Sequence, residues 1–286
     1  MTFSEHFYTS PDGLNLYYRE YGTEEEACPL VCLSGLTRNS GDFHDFALRY
    51  SKTRKVYALD YRGRGKSDYD ASYSNYNPQV YLGDIYAFLT QKNISRALFV
   101  GTSLGGLLIM ALAGLAKQFI AGAILNDVGP EVDQSGGNRI LEYVGKDVRF
   151  PTPEACASQH RESYIGAYPD LDAAGWQKVA GNTYTFDETA RNYRLNYDLA
   201  LGKALAEQFG KGEQVDLWPF FRALDDIPLL AIRGALSDVL SAEVFARMQQ
   251  ENPKMQAVLL ENRGHVPLLD EPAALEKMDP FIAGIR

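Results

Sequence analysis

A chain of 286 residues with 45% hydrophobic and 23% charged side chains is long enough to bury a sizeable core, as one large domain or one domain carrying an insertion. Its net charge of -9 opposes binding to nucleic-acid backbones and anionic membranes, and leaves a small molecule as the expected partner. The three cysteines, Cys28, Cys32 and Cys156, are odd in number and lack framework spacing, which points to free thiols in a reducing, cytoplasmic setting. No Cys or His falls at metal-ligand spacing, so neither a metal nor another cofactor is expected.

The N-terminal stretch Met1 to His6 has neither a basic nor an apolar region of a signal peptide. His6 to Thr9 and Leu14 to Tyr21 flank the turn Ser10-Pro11-Asp12-Gly13 and read as a hairpin. Leu30 to Leu33 is a short buried strand that runs into Ser34-Gly35-Leu36. A helix follows over Asp42 to Tyr50, then a strand over Lys55 to Leu59 ending in the charged loop Asp60 to Asp68. Gly63 and Gly65 let that loop turn tightly, with Arg62 and Arg64 paired to local carboxylates. Pro78 opens a helix with apolar spacing at Val80, Ile85, Phe88 and Leu89.

Next comes Gly101-Thr102-Ser103-Leu104-Gly105-Gly106, between the apolar strand 97–100 and an apolar helical run from Leu104 to Ala116. Gly-x-Ser-x-Gly between a strand and a helix is the nucleophile-elbow pattern. The run is shorter than the roughly 20 residues that cross a bilayer, so a buried helix is the reading. A dinucleotide or phosphate site is disfavoured, because neither this stretch nor 63–67 has the required glycine spacing. Ile120 to Leu125 is a further strand, ending at Asn126-Asp127.

Strands alternating with helices make this an α/β protein with a mainly parallel sheet and helices on both faces. Residues 131–221 break the rhythm. They read as a mostly helical insertion, with helices near 137–145, 153–166 and 199–209, and an aromatic content that suits a largely apolar acyl or alcohol group. The core is then 1–130 and 222–286. Sheet rhythm resumes at 227–234, followed by a helix from Ser241 and a strand over 255–260. The strand leads into Arg263-Gly264-His265, and a last helix spans 272–285.

A serine hydroxyl needs a base within hydrogen-bond reach, a group orienting that base, and donors for an oxyanion. Ser103 is the nucleophile by its place in the elbow. His265 is the base by position, since His6, His44 and His160 lie away from strand ends. Asp238, just beyond the strand 228–233, is the favoured acid because the chain order Ser, acid, His belongs to this arrangement. Asp127, at the neighbouring strand end, is the alternative. The backbone N–H groups of Leu104 and Leu36 are the expected oxyanion donors. Arg191 and Arg194 in the insertion are candidates to hold a substrate carboxylate.

These pieces together resemble the α/β-hydrolase superfamily over nearly the whole chain. The resemblance rests on Ser34-Gly35-Leu36, the Asp60 to Asp68 loop, the elbow, Gly234 to Asp238 and Gly264-His265. It implies an eight-stranded sheet with an inserted helical cap over about 131–221, and Ser103, Asp238 and His265 as a triad. Many members carry His-Gly where this chain has Ser34-Gly35. Members that open epoxides or displace halide carry Asp at the elbow, which Ser103 is not. The expected activity is acyl transfer from a small-molecule carboxylic ester to water. A lactone, or a carbon–carbon bond next to a ketone, would use the same residues. The reading from another class is a small-molecule receptor on the same scaffold.

Overall fold

The computed structural model describes residues 3–23, 27–210 and 215–286. Met1 and Thr2 of the N-terminal stretch and residues 211–214 of the expected insertion lie outside them. The expected hairpin forms from β1 (Ser4–Thr9) and β2 (Asn15–Tyr21). After it come β3 (Leu30–Leu33), α1 (His44–Tyr50), β4 (Val56–Leu59), α2 (Pro78–Gln91), β5 (Ala97–Thr102), α3 (Leu104–Ala116) and β6 (Ile120–Asn126). In β3, β4, β5 and β6 every residue is buried, so their sequences are continuous apolar runs and not alternating ones.

The chain leaves the sheet for the insertion, which holds α4 (Gln134–Tyr143), β7 (Arg149–Phe150), α5 (Pro153–Tyr164), α6 (Ala173–Thr183), β8 (Tyr184–Asp187), β9 (Asn192–Leu195), α7 (Ala200–Gly210) and α8 (Trp218–Arg222). It returns with β10 (Leu229–Gly234), α9 (Ala242–Glu251), β11 (Gln256–Leu260) and α10 (Pro272–Gly284). The helices near 137–145, 153–166 and 199–209 are present as α4, α5 and α7. The mostly helical insertion also holds strands that its sequence did not single out: β7, β9 and β8 form a three-stranded antiparallel sheet. Two- and four-residue strands with half-buried faces leave too little alternation to read. Helix α6 carries Gly175 and Gly181, which blur its period, and its start is marked only by Asp172 accepting from Gly175 N–H.

The main sheet has eight strands in the order β1-β2-β4-β3-β5-β6-β10-β11. Only β1 with β2 and β2 with β4 pair antiparallel. Side chains alternate between its two faces. Val31, Leu33 and Phe99 pack with α2 and α3, while Leu30, Cys32, Leu98 and Val100 pack with α1 and α10. From β3 the chain goes to β4 on one side and later to β5 on the other. A crevice therefore opens beyond the carboxyl ends of β3 and β5, where ligands bind in sheets of this kind. Ser34-Gly35-Leu36 and Ser103 meet there.

Candidate active site

Ser103 links β5 to α3 at φ 52° and ψ −116°, a left-handed conformation that is strained for a serine. The glycines around it make the turn possible. A Cβ on Gly101 would stand 2.5 Å from Gly106 N, and one on Gly105 would stand 2.0 Å from Leu33 O. Helix α3 thus lies against β3 and β5, and Ser103 is left at the tip, facing the crevice. Leu104 is the first residue of α3, so its N–H has no carbonyl a turn earlier to bond and points the positive end of the helix toward Ser103.

His265 follows β11 and reaches across the end of β10. Its Nε2 lies 2.9 Å from Ser103 Oγ and its Nδ1 lies 2.7 Å from Asp127 Oδ2. A carboxylate can only accept, so this pairing puts the ring proton on Nδ1 and leaves the Nε2 lone pair for the serine hydroxyl. Asp127 is fully buried at the end of β6. Its Oδ1 also accepts from Gly234 N–H at 2.9 Å, and its Oδ2 from Ser237 Oγ at 2.6 Å. Three donors from two segments, the end of β10 with the turn after it and the loop after β11, hold the carboxylate in place.

This geometry corrects the preference for Asp238. Asp238 is engaged by Arg139 of α4, with Nη2 2.9 Å from Oδ1 and Nε on Oδ2. Burial by itself raises the Asp238 carboxyl, but the Arg139 guanidinium outweighs it and leaves the group below the usual carboxylate range. Asp238 keeps about a third of its side chain exposed, 33%, where Asp127 has 0%. The reason lies in the strand order. Strand β6 stands between β5, which leads into Ser103, and β10, so the end of β6 is where a ring arriving from β11 meets a carboxylate.

Leu36, expected to supply the second oxyanion donor, sits on the crevice beside Gly35. An added Cβ on Gly35 would be 3.7 Å from Ser103 Cβ. The loop is pinned from below by Arg64, whose Nε donates to Leu36 O at 2.9 Å. Arg64 is itself buried, over the rings of Tyr61, Tyr76 and Tyr81. Arg62 is held by Asp12, Asp70 and Asp84, as its sequence suggests, whereas Arg64 bonds the carbonyls of Leu36 and Arg62 and the Tyr81 hydroxyl, and no carboxylate among the described residues. The Arg62 guanidinium also holds Asp12 down to about 2.

Above Ser103 and His265 lies a cavity of about 580 Å³, walled on one side by the strand-end loops and on the other by the insertion. Five cations line it, Arg38, Arg139, Lys146, Arg149 and Lys178, against the carboxylates of Asp42 and Asp270. Lys146 forms no ion pair among the described residues, whereas the other four do. Arg191 and Arg194 are not on this wall. Arg191 pairs with Glu188 at the surface, and Arg194 bonds Tyr69 Oη and Asp187. The sequence missed the cavity cations because they come from separate elements whose facing only the packed insertion fixes.

The profile of the alpha/beta hydrolase family matches residues 30–277, which takes in both ends of the site. The chain belongs to the alpha/beta hydrolase family. A 3-hydroxybutyrate-oligomer hydrolase from Cupriavidus necator is 33% identical over 287 residues, covering 96% of this chain and 95% of that protein. A 2-(acetamidomethylene)succinate hydrolase from Mesorhizobium japonicum is 25% identical, over 85% of this chain and 83% of its own. Among solved structures, an alpha/beta hydrolase from Novosphingobium aromaticivorans superposes with a TM-score of 0.93 at 40% identity, over 99% of each chain. This alpha/beta hydrolase is an enzyme, and its relatives place it among those that act by hydrolysis. No helix among its described residues is long and apolar enough to cross a membrane.

Proposed function

We propose that the protein is a serine hydrolase that cleaves a small-molecule carboxylic ester through an acyl-enzyme, with Ser103 as nucleophile, His265 as base and Asp127 as its orienting acid. The observation that carries this reading is the unbroken line Ser103 Oγ, His265 Nε2, His265 Nδ1, Asp127 Oδ2, with links of 2.9 and 2.7 Å. His265 takes the Ser103 proton as Oγ attacks the ester carbonyl. The N–H groups of Leu104 and Leu36 receive the oxyanion. The imidazolium then protonates the departing alcohol, and on the return step the ring activates water to release the acid. Residues 131–221 act as a cap over the site, and Asp127 holds the tautomer throughout.

The ester we favour carries a carboxylate. The C. necator relative is named for oligomers of a hydroxy acid, and such oligomers present ester links and an acidic end. The five cations around the cavity suit that chemistry better than the largely apolar group suggested by the aromatic content of the insertion. Replacing Ser103 by Ala should lower kcat on p-nitrophenyl butyrate by about 10⁶-fold while the protein stays folded, as judged by its circular dichroism and melting temperature. Turnover by the Ser103→Ala protein at the wild-type rate would end the proposal.

A further inference from the structure

The loop that carries His265 is bonded on both sides of the histidine to one short segment of the insertion. Gly264 N–H donates to Ala167 O at 2.7 Å. On the other side Tyr168 Oη donates to Val266 O at 2.7 Å and accepts from Val266 N–H at 3.0 Å. A single phenol thus satisfies both backbone groups of the residue next to His265, the work a neighbouring strand does elsewhere. Arg263 of the same loop pairs with Asp170. The contact is close, since a Cβ on Gly264 would stand 2.7 Å from Ala167 Cβ. Tyr168 is 5% exposed and its ring packs edge-on against Trp176 of α6, so the hydroxyl is aimed by the body of the insertion. Burial pushes its phenol up to about 12, which keeps the proton it donates.

We propose that Tyr168 is a positioning residue that, through Val266, fixes the ring of His265 between Ser103 and Asp127. The base is then aligned only while the insertion is seated on the sheet. Tyr168 also lines the cavity, so substrate held there bears on the same clamp. This goes beyond the ester reading and rests on it only in taking His265 as the base.

The test is Tyr168→Phe, which keeps the ring and removes the two bonds to Val266. With p-nitrophenyl butyrate, kcat should fall about 10–100-fold while KM changes less than about threefold. The downfield proton resonance of His265 Nδ1–H should move or broaden at the same time, a readout that loss of stability alone leaves in place. Tyr193→Phe, which removes a hydroxyl from β9 away from the cavity, should change neither. A kcat within about twofold of wild type would overturn the proposal. So would a fall in kcat with the resonance unmoved, which would place Tyr168 on the substrate and not on the base. Should Tyr168→Phe fail to fold, 3-fluorotyrosine at 168 should shift the resonance, and an unshifted one overturns the proposal. The resonance requires no turnover, so its result stands apart from the Ser103→Ala result.

Discussion

At the residue scale, the acid is where sequence and geometry part. Asp127 and Asp238 both follow strands at the carboxyl edge, and chain order does not separate them, since either lies between Ser103 and His265. What separates them is company: Asp127 receives His265, Gly234 and Ser237, and Asp238 receives Arg139. Asp127→Asn would offer the ring an amide and lose the fixed tautomer, so kcat should fall by about 10³–10⁴-fold. Asp238→Asn breaks a part-exposed pair and should leave kcat within about fivefold. Steady-state kinetics on one ester with both variants decides the matter, and the reverse ranking would restore Asp238. The places of Ser103 and His265 at strand ends were legible because each depends on local chain. The serine needs a strand, a glycine-flanked turn and a helix in sequence. The histidine needs the end of the last strand.

At the scale of elements, the buried strands and the elbow announce themselves through continuous apolar runs and paired glycines, and their boundaries follow. The insertion does not, because its helices and short strands are half-buried and each borrows its apolar partner from another segment. Cys156, Ala157 and Ala180 make its small core, flanked by Phe150, Tyr184 and Tyr193, while Trp218 and Phe221 pack into the main core. His160 of α5 is part of this arrangement, with its ring 4.6 Å from that of Tyr164. Burial first, and the nearby Arg38 charge second, bring its pKa from 6.5 down to about 3. The unfolded chain therefore takes up a proton as pH falls below about 6.5, while the folded chain does not until about 3. Stability is lost as pH falls through that window and is unaffected by this group above it. His160→Phe keeps an aromatic ring and removes the titration. Its melting temperature should decline less steeply than that of wild type as pH is lowered through the same range. Parallel curves for the two proteins would show that other groups govern the acid side.

At the scale of the whole molecule, a chain of net charge -9 folds so that a cavity beside Ser103 is lined by five cations and two carboxylates. A mono-p-nitrophenyl ester of glutaric acid should have a lower KM than p-nitrophenyl butyrate, by about tenfold. Added salt should erase that advantage without affecting the neutral ester, as expected of an attraction between charges. Equal KM values at low salt would argue for an uncharged substrate. The α/β class and the strand ends that carry Ser103 and His265 were legible in the sequence itself, because strand runs, the glycine-flanked elbow and the last strand's loop are local patterns. The choice of Asp127, the cationic wall and the grip of Tyr168 on the His265 loop were decided only by tertiary structure. Asp127 meets His265 across 138 positions and Tyr168 meets Val266 across 98, while the cavity cations come from separate elements. Which strand end or helix face they share is set by sheet order and packing, which no local spacing encodes.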